Sequence, residues 1–185
     1  MKYCYSLKAE EREALRSLRG KRLVSYRLND TDNTSFEVFV LRLEDEDLEV
    51  ATKEIAGTGD WFDETNVVEI VPRPNRDSWS RLGESTPPNG IPPGGFLDYP
   101  VARDIKGVSI AVDTFSSGEE AGVYVRGLVL DFGTHSLVFD KGAQNWGNIW
   151  HVCECPTTAV RFSTAAFDER EDPGLRSETK IERIA

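Results

Sequence analysis

The sequence is poor in the residues that carry most enzyme chemistry. Its 185 residues include three cysteines, two histidines and one methionine. No segment matches a nucleophile signature, and no glycine-rich phosphate loop leads into a helix. Three cysteines cannot all pair within the chain, and Cys153 and Cys155 lie two positions apart in a predicted strand, where disulfide geometry is unfavourable. We therefore expect reduced thiols, a reducing compartment and a cytoplasmic protein.

Long apolar runs and an N-terminal signal segment are also missing. The longest apolar runs are far shorter than the roughly 20 residues that cross a bilayer. Basic residues are in the minority, with 22 Lys and Arg against 32 Asp and Glu and a net charge of −10. A field of this sign repels phosphate groups, so we expect no nucleic-acid partner. We expect no membrane partner either, whereas a basic protein is favoured electrostatically.

What the sequence contains is typical of one globular domain, expected over 1–185. Hydrophobic residues make up 39% of the chain and aromatic residues 10%. Apolar residues recur at helical spacing over 7–19, with Ser6 placed to cap the helix and Gly20 placed to end it. From residue 21 onward the apolar period changes from 3.6 to 2, which indicates strands.

These strands fall into two β units, 21–72 and 105–164. The predicted strands are 22–28, 36–43, 48–51 and 67–71 in the first unit, and 108–112, 123–130, 136–139, 149–155 and 159–163 in the second. The fold class is therefore α+β and mainly β. We expect an N-terminal helix followed by two antiparallel four-strand meanders that form a sandwich or an open barrel.

The two β units share an order of features. Each has three strands, a glycine, an Asp-Trp (60–61) or Asn-Trp (145–146) pair, and then a strand closed by proline. This order suggests a degenerate duplication that relates 21–72 to 105–156. The alternative is that meanders with tight turns resemble one another by default.

A proline- and glycine-rich segment separates the units and is predicted as a loop over 73–104. Seven of the nine prolines lie between 72 and 100, and proline prevents strand pairing. Trp79, Phe96 and Tyr99 lie in this segment. They are candidates for anchoring a partner, or for fastening the loop over one end of the sheet. No structure is predicted for the C-terminal segment, 165–185.

Two groups of polar residues are further candidates for a site. Four consecutive carboxylates, Glu44, Asp45, Glu46 and Asp47, form a predicted turn that would attract a basic protein surface, although such turns are ordinarily solvated. His151, Cys153 and Cys155 would share one face of a strand, as metal ligands could. Structural zinc sites, however, usually take cysteines from a C-x2-C knuckle. We therefore expect no metal and no cofactor.

The leading hypothesis is a non-catalytic, acidic protein-binding module that inhibits or neutralises a basic partner, as immunity proteins do. This analogy is one of physical type alone. One alternative is a hydrolase or metal-dependent enzyme that uses His135, His151 and carboxylates in a cleft. Another is a small-ligand-binding β domain in which Trp61, Trp146 and Trp150 line a pocket.

Overall fold

The computed structural model describes residues 3–29, 38–56, 64–73, 96–117, 120–141, 150–162 and 176–185. These residues form eleven strands, one α-helix and a short 3-10 helix. In chain order the elements are β1 (Tyr3–Tyr5), α1 (Ala9–Arg16), β2 (Arg22–Asn29), β3 (Val38–Leu43), β4 (Asp47–Ala56), β5 (Glu64–Arg73), β6 (Phe96–Asp104), β7 (Gly107–Ser117), β8 (Glu120–Asp131), β9 (His135–Asp140), β10 (His151–Pro156), the 3-10 helix (Thr157–Ala159) and β11 (Arg176–Arg183).

The strands form two sheets with the same internal order. The N-terminal sheet has the order β5-β4-β3-β2-β6, and the C-terminal sheet has the order β10-β9-β8-β7-β11, with β1 parallel to part of β8. Each sheet is an antiparallel four-strand meander whose first strand also pairs with a fifth strand. The prediction of two antiparallel meanders is confirmed. The sheets do not close into a barrel.

The two sheets pack face to face over one hydrophobic core. Phe39 of β3 stacks on Phe139 of β9 with ring centroids 4.1 Å apart, and Trp150 meets Phe39 edge-on at 5.0 Å. Leu15 and Leu18 add the helix segment to the same core and are fully buried. Burying each side chain of this size contributes about 1.5–3 kcal/mol, so this layer is what holds the sandwich together.

The helix is shorter than the sequence predicts. It begins after Lys8 because the Glu11 carboxylate accepts the Lys8 backbone N–H at 2.7 Å, and Ser6 is therefore not the cap. It ends at Arg16, and a turn follows. Gly20 has φ +85°, the left-handed conformation expected of a glycine after a helix.

The predicted loop over 73–104 is wrong at both ends. Strand β5 continues to Arg73, and β6 occupies Phe96–Asp104 and pairs with β2. Pro100 is compatible with β6 because an edge strand does not need every N–H. The register shifts between Leu23 and Ser25, close to Ala102 with φ +54°. Residues 74–95 lie outside the described residues.

The second β unit and the C-terminal segment require two further corrections. The predicted strand 159–163 is wrong, because residues 157–159 form a 3-10 helix and Val160 and Phe162 then pack on the outer face of the C-terminal sheet. The segment 165–185 contributes β11, which the sequence did not predict. Charged residues alternate along β11 with few apolar ones, so it lacks the pattern of a half-buried strand.

Candidate functional site

An ion pair links the edge strands β6 and β10 of the two sheets. Arg103 on β6 donates to both carboxylate oxygens of Glu154 on β10, with N···O distances of 2.5 and 3.1 Å. The Arg103 guanidinium also lies over the Phe132 ring, 5.4 Å from its centroid. We name the side formed by Tyr26, Tyr99, Arg103, Phe132 and Glu154 the β6–β10 mouth.

Two tyrosines form the aromatic part of this mouth. Tyr26 and Tyr99 are paired on β2 and β6, and their rings stack with centroids 5.0 Å apart and planes 10° from parallel. Phe139 of the opposite sheet braces Tyr26 edge-on at 5.6 Å. Tyr99 is 37% exposed. The mouth therefore presents to solvent an aromatic ring whose orientation is held by the ring behind it.

The electrostatics of the mouth keep its ion pair charged and its inner tyrosine neutral. Burial raises the pKa of Tyr26, and nearby Tyr99 and Glu154 raise it further. The hydrogen bond from Arg103 lowers the pKa of Glu154, and the same bond raises the pKa of Arg103. Both partners are about 40% exposed, so the pair contributes only about 0–1 kcal/mol.

The two histidines lie at opposite ends of the β9–β10 hairpin. His135 pairs with Pro156, whereas His151 pairs with Asp140. Five strand residues separate these positions, which corresponds to about 17 Å. Both side chains are exposed. His135 lies near the mouth, where it adds to the effect of Arg103 in lowering the pKa of Glu154. The structure therefore does not bring together the histidines that the enzyme alternative places in one cleft.

Cys153 and Cys155 are free thiols on β10. They lie two positions apart and therefore share one face of the strand, as the strand pattern predicts. Cys153 is exposed and Cys155 is half-buried. Partial burial raises the pKa of Cys153, and nearby Cys155 raises it further. Within the described ranges, no three His, Cys, Asp or Glu side chains come close enough to hold a metal ion.

The four carboxylates of the acidic turn differ in their exposure to solvent. Glu44 and Asp45 are exposed, Glu46 is half-buried and forms an ion pair with Lys21, and Asp47 is buried at the start of β4. Only two of the four predicted carboxylates are therefore fully presented to solvent. Beside them lies an open polar depression lined by Gly20, Lys21, Arg22, Glu44, Asp45 and Asp104.

The aromatic candidates have different positions. Trp79 lies outside the described residues, as do Trp61 and Trp146. Phe96 and Tyr99 both lie on β6, of which Phe96 is the first residue. The side chain of Tyr99 is described and is exposed. Trp150 is 1% exposed and packs edge-on against Phe39 in the core.

Sequence reasoning missed a buried charge network on the outer face of the C-terminal sheet. Arg126 is fully buried, with its Nε 2.9 Å from Asp140 Oδ1 and a terminal nitrogen 3.6 Å from Asp113. Tyr124 donates a hydrogen bond to Asp113 at 2.8 Å, and burial, followed by Asp113, raises its pKa. The available signal was an arginine in the middle of the apolar run 123–130.

Comparison of the chain with protein-family models, with curated proteins and with solved structures gave no match. In the described part of the chain, no helix has the length and apolar character needed to cross a membrane.

Proposed function

We propose that this chain is a non-catalytic protein-binding module of the inhibitor or immunity type, and that it engages a basic partner through the β6–β10 mouth. Tyr99 is the centre of the proposed contact. It lies on a sheet edge, is partly exposed, and is flanked by exposed Asp98 and Pro100 on the same strand.

The stack of Tyr99 on Tyr26 is the observation that carries this proposal. Aromatic residues are enriched among the few interface residues that supply most binding energy. A side chain ordered before binding loses less conformational entropy when the complex forms. Tyr99 meets both conditions, because its ring is accessible while Tyr26 and Phe139 hold it in place.

The preference for a basic partner comes from the charge of the whole chain. The carboxylates nearest to the mouth are already paired, Glu154 with Arg103 and Asp98 with Arg27 at 3.0 Å. The local surface is therefore nearly neutral, and the net charge of −10 acts at longer range. Such a field accelerates the association of a basic protein more than it tightens the final contact.

Two finer proposals concern origin and location. The shared strand order of the two sheets supports descent from a duplicated four-strand meander, which relates 21–72 to 105–156. The first strand of each sheet also has a register shift, near Leu23 against both β3 and β6 in one sheet and near Ala111 against β8 in the other. The free thiols of Cys153 and Cys155 support a cytoplasmic location, where disulfides are rare.

The proposal is tested by placing a photo-crosslinking amino acid at position 99 and expressing the chain in its native host. We expect one prominent crosslinked partner with an excess of Lys and Arg. The matched control carries the same amino acid at Thr158, which is exposed on the 3-10 helix, and should not capture this partner. Equal capture from both positions would refute the assigned surface.

Affinity measurements with the purified partner complete the test. Tyr99→Ala should raise the Kd by about 30-fold or more, as expected for a hot-spot residue. Tyr99→Phe keeps the stack and should change the Kd by less than about threefold. Salt should slow association of the wild-type pair, because it screens the long-range field. A Tyr99→Ala variant that binds as well as wild type would end the proposal.

A further inference from the structure

Strand β11 forms the most regular free edge in the described part of the chain. It pairs with β7 at all eight positions, without a bulge or a proline. The other edges are shorter or interrupted: Glu11 accepts the Ile70 N–H on β5, and Pro100 and the positive φ of Ala102 interrupt β6. Strand β10 has six residues and ends at Pro156, and β1 has three. A long, uncovered edge strand is a template for pairing with another strand.

The backbone of β11 shows which residues face this free edge. Ile184 donates its N–H to Val108 on β7, and Thr114 on β7 donates its side-chain hydroxyl to the Glu178 carbonyl. Because hydrogen-bonding groups alternate in an antiparallel pair, the even-numbered residues within Arg176–Arg183 face β7 and the odd-numbered ones face outward. Beyond the strand, Ala185 also exchanges backbone hydrogen bonds with Val108. Thr179, Ile181 and Arg183 therefore direct their N–H and C=O groups away from the sheet.

The side chains of this edge combine one apolar residue with two opposite charges. Ile181 is 51% exposed, more than Val24 at 40% or Tyr99 at 37%. The side chains of Lys180 and Glu182 are 67% and 46% exposed and share the opposite face of the strand. Arg12 of the helix holds Glu182 in place at 2.6 Å.

We propose that a second copy of this chain pairs antiparallel along β11, with a two-fold axis at Ile181. In this register Ile181 meets Ile181 of the second copy, and Lys180 of each copy lies opposite Glu182 of the other. Thr179 and Arg183 form the flanking hydrogen-bonded pairs, which gives about six backbone hydrogen bonds. The two C-terminal sheets become one continuous sheet.

The position of the axis follows from the side chains. An axis at Thr179 satisfies the same backbone alternation and places Glu178 opposite Lys180, but it leaves Ile181 opposite Ser177. An axis at Ile181 keeps a complementary charge pair and also covers the exposed apolar side chain with its own counterpart. Cross-strand apolar and opposite-charge pairs both stabilise a sheet.

The first test measures the molar mass of the full chain by light scattering over micromolar to millimolar concentrations. We expect the wild type to reach the mass of a dimer. Ile181→Asp should raise the dimer dissociation constant more than about tenfold, because it places like charges directly opposite each other. Val24→Asp, at a 40% exposed residue of β2, is the matched control and should dimerise like wild type. Unchanged melting temperatures would show that both variants are folded.

The second test determines the axis by cysteine crosslinking in a chain in which Cys4, Cys153 and Cys155 are replaced by serine. Residues on the axis have Cα atoms about 5.5 Å apart, within disulfide reach. Ile181→Cys should therefore give a covalent dimer under mild oxidation, and Thr179→Cys should not. A monomeric wild type, a dimer that tolerates Ile181→Asp, or preferential crosslinking at 179 would each overturn the proposal.

Discussion

Phe162 occupies the space that a side chain at Gly127 would need. A Cβ on Gly127 would lie 2.6 Å from Cε1 of Phe162 and 2.6 Å from the backbone oxygen of Phe139. The missing side chain lets the Phe162 ring approach the outer face of β8. There the ring and Val160 cover Val129 and Val138 in a second hydrophobic cluster. The C-terminal sheet is therefore packed on both faces.

Gly127→Ala should destabilise the fold because one of the two clashes involves backbone and cannot be relieved by a rotamer change. We expect a loss of about 1–3 kcal/mol in the free energy of unfolding, measured with urea. Gly107→Ala is the matched control, since its Cβ would find no atom closer than 3.4 Å. If the two variants were equally stable, the close packing at Gly127 would be disproved.

Glu11 joins the helix start to the edge of the N-terminal sheet. Its carboxylate accepts both the Lys8 N–H at 2.7 Å and the Ile70 N–H at 3.3 Å, and the side chain is buried. Glu11→Ala leaves two backbone donors without this partner and should cost about 1–3 kcal/mol. Glu13→Ala removes an exposed carboxylate and should cost less than about 0.5 kcal/mol. Amide exchange at Ile70 should accelerate only in the Glu11 variant.

Arg126 neutralises two carboxylates inside the C-terminal sheet. Arg126→Met removes the cation and leaves Asp113 and Asp140 without it, so we expect a loss of about 3–5 kcal/mol. The triple variant Arg126→Met/Asp113→Asn/Asp140→Asn removes the unpaired charges and should recover part of that loss. Urea unfolding at neutral pH provides both values. A triple variant that is less stable than Arg126→Met would contradict this account.

Lys141 makes stability depend on pH in the alkaline range. Burial lowers its pKa to about 8, from the usual 10.5. Between these values the unfolded chain binds more protons than the folded chain, so stability should rise with pH from about 8 to 10.5. The contribution is on the order of 3 kcal/mol. Lys141→Met should lack this rise, and parallel stability–pH curves for the two proteins would refute the assignment.

The local alternation of apolar residues was sufficient to predict a strand wherever one face of that strand is buried in the main core. The alternation in β2, β3, β8 and β9 predicted four strands whose inward residues, such as Leu28, Phe39, Leu128 and Phe139, are buried. The period of two follows directly from strand geometry, so no knowledge of partners was needed. The free cysteines were likewise expected from their spacing alone.

The local sequence pattern did not predict the strands that are stabilised mainly by pairing with a neighbouring strand. Strand β6 contains Pro100 and directly follows the proline- and glycine-rich run that predicts a loop, and it is ordered by pairing with β2. Strand β11 is mostly charged and pairs with β7, which lies 60 to 74 residues earlier in the chain. Cross-strand hydrogen bonds join backbone groups and do not depend on side-chain type. The periodicity of the sequence therefore does not reveal which strands they stabilise.

The candidate site was even less accessible from sequence. The proline-rich segment pointed to Tyr99 as a binding residue, but the ring that stacks on it, Tyr26, lies 73 positions earlier in the chain. Arg103 and Glu154 become neighbours only because the two sheets pack with β6 beside β10. The sequence by itself therefore determined the mainly β class, the two meanders and the acidic field, which depend on composition and on near neighbours. Tertiary structure decided which edges meet and which charges are buried, because those contacts join residues that no local period relates.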